Sequence, residues 1–205
     1  MKTVAMGNSA QLSTKMVNLM HEFRHDVFVK RLGWSLPVMN GVEHDEYDTP
    51  DAKYVVISDV PERVTGCARL LPTTKAYMLP ELFPQLLGSC ATPRDSTIWE
   101  LSRFATTVRE TGTGRVLSLS QPTLELLDLV FDYARRHHIA RLILVTSVGI
   151  ERLMLRAGVP AHRVAPPALV FGHLNVALFI EVPPAEPVTH PTGYVTLQSE
   201  VATCV

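Results

Sequence analysis

An apolar strand with one arginine inside it restricts the architectures open to this chain. Residues 65–71, TGCARLL, read as a buried β-strand, and Arg69 interrupts the apolar run. A guanidinium removed from water needs a carboxylate partner or an anionic ligand. The strand must therefore lie at a wet edge or face a layer that supplies acids. The run 54–57 reads as a preceding strand with a turn over 59–62, so the two form a hairpin.

Toward the N-terminus lies a segment of mixed charge. Residues 10–31 predict an amphipathic helix, with Leu12, Met16, Leu19, Met20, Phe23 and Val27 recurring at three- and four-residue steps. On it Arg24 and Phe28, four apart, share one face. Gly33, Pro37 and Asn40-Gly41 then break the chain, which predicts a loop over 33–51 carrying Trp34, Asp45 and Asp48. Such a loop can enclose a small polar ligand with a cationic centre. Carboxylates would take the charge and aromatics an onium group or a purine. A solvated acidic loop after an ordinary helix would use the same residues.

Residues 72–95 are proline-rich and irregular, with a short helical piece over 81–87. A central strand follows over 97–108. Simple alternation puts Glu100 and Ser102 on one face and Trp99, Leu101 and Arg103 on the other, unless a bulge intervenes. A long helix is predicted over 118–138, a strand over 141–146, a helix over 148–157 closed by Gly158, and strands over 169–171 and 175–182. The Pro-, Thr- and Ser-containing tail after Pro183 is expected to be partly flexible. This order predicts one α/β domain over residues 1–205: three layers, α/β/α, around a mixed central sheet.

Composition narrows the function. The chain has 205 residues, 46% of them hydrophobic, and a net charge of −1. It can bury a sizeable core, and it lacks the basic excess of a nucleic-acid binder. Neither an 18-residue apolar run nor a signal-peptide core is present, so the expectation is a soluble, cytoplasmic protein without membrane association. Cys67, Cys90 and Cys204 lack metal-ligand spacing, and His137-His138 fall at a helix end, where they complement the helix dipole. No metal is expected.

Three blocks, in order, carry a resemblance. The first is Arg24, Phe28, Trp34 and the pair Asp45-x-x-Asp48. The second is Gly66-Cys67-Ala68-Arg69-Leu70, and the third Trp99-Glu100-Leu101-Ser102-Arg103-Phe104. Thr73-Thr74, Tyr77-Met78-Leu79 and Phe83-Pro84 lie between the second and third. Over residues 10–182 the chain resembles the acyl-homoserine-lactone synthases, the LuxI-type autoinducer synthases. The resemblance implies a GCN5-acetyltransferase-like fold, and Arg109-x-x-Gly112-x-Gly114 has the spacing of that fold's pyrophosphate loop, although a plain turn would explain it equally.

The resemblance also implies the chemistry. S-adenosylmethionine is a substrate, not a cofactor, and acyl carrier protein is the acyl donor and partner, with acyl-CoA used by some relatives. Glu100 would be the general base, with Arg103 beside it. Arg24, Phe28, Trp34, Asp45, Asp48 and Arg69 would form the S-adenosylmethionine pocket. The three arginines are expected to link the two aspartates and Glu100, an arrangement that a purely structural ion network would share. Leu101, Ser102, Leu144, Thr146, Met154 and Phe171, with Leu124, are candidates for the acyl-chain pocket, and each could equally be core. Arg152 and Arg156, four apart on one helix, would dock the acidic carrier. The rival reading is a CoA-dependent N-acetyltransferase acting on another amine, which would leave the N-terminal block without a purpose.

Overall fold

The computed structural model describes residues 2–107 and 118–184 and the backbone of residues 195–197. The proposed pyrophosphate-loop residues Arg109, Gly112 and Gly114, and Cys204, lie outside the described residues.

The strands are β1 (Thr3–Gly7), β2 (Val38–Met39), β3 (Val42–Glu43), β4 (Lys53–Val60), β5 (Arg63–Pro72), β6 (Ile98–Thr106), β7 (Arg141–Ser147), β8 (Ala161–Arg163), β9 (Ala168–Val170), β10 (His173–Glu181) and β11 (Val195–Leu197). The helices are α1 (Thr14–Arg24), α2 (Met78–Leu82), α3 (Gln121–Arg136) and α4 (Val148–Arg156). The main sheet runs β11-β1-β4-β5-β6-β7-β10-β8, with β9 on β10. It is mixed: β1 with β11 and β6 with β7 are parallel, the other pairs antiparallel.

Strand alternation divides the core into two halves. Tyr54, Val56, Cys67, Leu71, Ile143 and Ala177 point to one face, where Met20 and Phe23 of α1 and Met78 and Leu79 of α2 cover them. Val55, Ile57, Ala68, Leu70, Leu142, Leu144, Val176 and Leu178 point to the other, against Leu126, Leu127 and Val130 of α3 and Met154 of α4. This is the expected three-layer α/β/α arrangement.

The N-terminal helix differs from the prediction. Ser13 caps it by accepting a hydrogen bond from the Met16 N–H, so it starts at residue 14. From His25 to Arg31 the chain is a π-helix rather than an α-helix, ending just before Gly33 at φ +69°. The loop 33–51 contains the small β2–β3 hairpin, turned by Asn40 and Gly41 at φ +54° and +79°. β1, β8 and β11 were not predicted. β11 falls within the tail expected to be partly flexible, yet it pairs in register with β1.

Two irregularities shape the middle of the sheet. Opposite Cys67 to Arg69 of β5, β6 runs from Ala105 to Ser102, so β6 holds one extra residue there. Leu101 and Phe104 consequently face the α3 side while Ser102 and Ala105 share the other. Arg103, at φ +47°, occupies this bulge. The second irregularity is the β6–β7 pair, whose register covers only Ile98–Glu100 against Arg141–Ile143. Beyond that point β6 continues along β5 and β7 along β10, and the sheet opens into a wedge.

Candidate active site

The β6 bulge decides which side chains meet. Alternation alone would turn Arg103 away from Glu100 and Ser102. The extra residue brings its guanidinium back to their face, where it joins Arg69 of β5 and Arg24 of α1 over the loop after β3.

Three guanidinium groups there meet three carboxylates. Arg24 donates to Asp48 through both terminal nitrogens, at 2.7 and 2.9 Å, and to Glu43 through Nε at 2.5 Å. Arg69 donates to Asp45 at 2.5 and 3.1 Å, to Asp48 at 2.9 Å, and through Nε to Ser102 at 3.0 Å. Arg103 donates to Glu43 at 3.0 and 3.1 Å and to Asp45 at 2.6 Å. The Asp45 N–H and the Tyr54 hydroxyl complete the shell of Asp48, and the Tyr47 N–H donates to Asp45. Arg24, Arg69 and Glu43 are essentially sealed from solvent.

Such a set is stable only when every charge is compensated. Burial alone would push the Asp48 carboxyl upward, but Arg24 and Arg69 outweigh it and hold the group well below the usual carboxylate range. Burial also opposes the charge on Arg24, and Asp48 and Glu43 more than offset it.

Glu43 is the residue that sequence reasoning missed. It lies two positions before Asp45, and its backbone carbonyl also accepts from His21 Nδ1 at 2.8 Å. A cavity of about 330 Å³ adjoins the outer side of the network, bounded by His21, Val42, His44, Asp48 and Tyr54 among others.

The expectation that the arginines also bind Glu100 needs correction. Both Glu100 oxygens accept from backbone N–H groups at the start of α2, from Met78 at 2.9 Å and Leu79 at 2.7 Å. Arg69 and Arg103 reach it only through their charge. Glu100 is 2% exposed, and burial pushes its carboxyl up to about 7 against the opposing pull of those hydrogen bonds and the two arginines. A carboxylic acid that titrates near neutrality can take and release a proton at working pH.

Phe28 and Trp34 stack at 5.0 Å with 27° between their planes, and the Arg103 guanidinium carbon lies 5.7 Å from the Phe28 ring centre. Trp34 is 47% exposed, so the pair joins the buried network to the surface. All six residues expected around S-adenosylmethionine are thus gathered, but the charges of Arg24, Arg69, Asp45 and Asp48 are satisfied within the network they form with Glu43 and Arg103.

The wedge collects most of the expected acyl-chain residues. Leu101 and Ser102 lie on its β6 side, and Leu144 and Thr146 on its β7 side. Leu101, Leu144 and Met154 pack in one buried cluster. Ser102 is tied to Arg69, on the face of the ion network. Leu124 is part-buried in the first turn of α3. Phe171 does not fit the expectation. At φ +50° it forms the tip of the β9–β10 turn and is 81% exposed, with its ring edge-on to Phe83. Arg152 and Arg156 are both exposed on α4, beside Ile150 and Leu155.

A mixed sheet opened between two parallel strands, with a buried acid at the point of opening, has the form of the GCN5-like fold. A putative N-acetyltransferase from Lactobacillus plantarum shares the fold at TM-score 0.59 and 18% identity, covering 88% of this chain and 99% of that one. The family is narrower. The autoinducer synthase model matches residues 8–185. The acyl-homoserine-lactone synthase of Acinetobacter nosocomialis is 37% identical over 181 residues, covering 87% of this chain and 99% of the relative. The crystal structure of the AHL synthase LasI superposes at TM-score 0.78 with 36% identity, covering 89% and 91% of the two chains. BjaI, a CoA-dependent acyl-homoserine lactone synthase solved with SAM and isopentyl-CoA, gives TM-score 0.77 at 27% identity over 89% and 84%. The chain belongs to the autoinducer synthase family, the acyl-homoserine-lactone synthases of quorum sensing.

Proposed function

We propose that this chain transfers an acyl group from acyl carrier protein to the amine of S-adenosylmethionine and closes the product to an N-acyl-L-homoserine lactone. The observation that carries the reading is Glu100, a buried acid poised near neutrality where β6 and β7 part and the wedge begins.

The amine of S-adenosylmethionine must lose a proton before it can attack. Glu100 takes that proton, directly or through one water. The amine nitrogen then bonds to the thioester carbonyl carbon, and the carbon–sulfur bond breaks to release the carrier thiol. Backbone N–H groups of β6, the central strand, stabilise the tetrahedral oxyanion. The methionyl carboxylate next attacks its own γ-carbon. The ring oxygen–carbon bond forms as the carbon–sulfonium bond breaks, and methylthioadenosine leaves neutral. Phe28 and Trp34 provide the aromatic surface for the sulfonium nucleoside. Arg24, Asp45, Asp48 and Arg69 shape the pocket from behind, and Arg103 holds the strand segment that carries Glu100. The wedge residues Leu101 and Leu144, with Met154 of α4 packed in the same cluster, take the acyl chain. The exposed Arg152 and Arg156 offer an acidic carrier a docking stripe.

The test is mass spectrometry of purified protein with S-adenosylmethionine and carrier thioesters of graded chain length, with acyl-CoA run in parallel. Lactone plus methylthioadenosine from the carrier thioesters is the expected result. Lactone from acyl-CoA alone would reassign the donor. Carrier thiol without lactone would overturn the reading. A Glu100→Gln protein that still binds both substrates should lose about a hundredfold or more in turnover.

A further inference from the structure

Glu43 is wholly buried, and its carboxylate is the one that ties Arg103 to α1. One oxygen accepts from Arg24 Nε, the other from Arg103 Nε and Nη2. With Asp45 and Asp48 it balances three guanidinium groups, so the network is neutral as built. Glu100 lies outside this hydrogen-bonded set but within reach of its field. The groups that act on it are the Met78 and Leu79 N–H of α2, Arg69 of β5 and Arg103 of its own strand. Tyr77 before α2 and Tyr47 in the loop after β3 are also within its electrostatic range.

We infer that Glu43 is a positioning residue that sets the proton affinity of Glu100 through Arg103. Its carboxylate fixes the guanidinium in place and cancels part of the positive charge that would otherwise stabilise the Glu100 carboxylate. The inference rests on Glu100 serving as the base of the proposed reaction. A tie that served only to hold the N-terminal segment would leave the titration of Glu100 unchanged.

The sign follows from the charge balance. Glu43→Gln keeps the shape but leaves the network with one uncompensated positive charge. The charged form of Glu100 is then favoured, and its titration moves to lower pH. Arg103→Gln removes a positive charge and moves it to higher pH.

The experiment measures the acid limb of the turnover–pH profile, together with a pH titration of the carbon-13 signal of the Glu100 carboxyl, assigned by its absence in Glu100→Gln. Glu43→Gln should lower both by at least about half a pH unit, whatever it does to maximal turnover. Unchanged midpoints in Glu43→Gln would overturn the inference even if activity falls. Should that variant fail to fold, Arg103→Gln decides: an upward shift supports the inference and an unmoved midpoint ends it. A wild-type enzyme that makes no lactone would refute the proposed reaction, and the carboxyl titration would still decide the role of Glu43.

Discussion

Single residues here divide between those that hold and those that touch. Trp34 is half-exposed and makes its ring contact with Phe28, so trimming it disturbs little of the core. Trp34→Ala should weaken S-adenosylmethionine binding about tenfold while changing stability by less than about 1 kcal/mol. Calorimetric titration beside thermal melts separates the two effects, and a variant that binds normally would remove Trp34 from the pocket. Asp45 is the opposite case. It accepts from two guanidinium groups and one backbone N–H in a sealed site. Asp45→Asn should cost about 3–5 kcal/mol, because it leaves Arg69 and Arg103 under-compensated rather than because the pair itself contributes that much. Denaturant unfolding measures it. A loss below 1 kcal/mol would mean that water reaches the network.

At the scale of elements, the β6 bulge converts a strand of ordinary alternation into a site. Arg103 adopts a left-handed backbone that arginine rarely takes, and its three carboxylate contacts hold it there. Arg103→Gly would suit that backbone but not those contacts, so it should lose more stability than it regains, and melts should show a fall against wild type. The blocks around Arg24, Arg69 and Glu100 were legible in sequence because together, in order, they match the pattern of a known family; charge and apolar spacing alone left a solvated loop and a wet edge strand equally open. The bulge was not, because nothing in the WELSRF string distinguishes an extra residue from regular alternation. Glu43 was hidden for a related reason. Counting Glu100 among the partners of three arginines already balanced the charges, and only the backbone hydrogen bonds of α2 show that Glu100 is otherwise engaged. The π-helical turns at 25–31 were equally invisible, since Phe28 and Val27 suit the inner face of either helix. β1 offers just Val4, Ala5 and Met6 as apolar signal, too short a run to separate from an irregular terminus.

For the whole molecule, two buried acids pull stability in opposite directions with pH. Asp48 is held below its unfolded value, so its contribution is complete above about pH 4 and is lost as pH falls. Glu100 is held above its own, so the native state binds its proton more tightly than the unfolded chain does. That contribution is complete below about pH 4.5 and is lost as pH rises through about 7. Thermal stability should therefore decline between pH 5 and 7 by an amount that Glu100→Gln abolishes, and melting curves across that window check it. A variant with the wild-type slope would place the loss elsewhere. The membrane question is simpler: among the described residues, no helix is long and apolar enough to cross a bilayer. The ion network has one more consequence, which concerns the order of synthesis. Glu43, Asp45 and Asp48 leave the ribosome with only Arg24 as a partner, while Arg69 and Arg103 follow 24 and 60 positions behind the acids they bind. Until Arg69 emerges the nascent segment carries two acids more than it can neutralise, and until Arg103 emerges one, so it has little reason to leave water. The first part of the chain to be made is in this way among the last to settle.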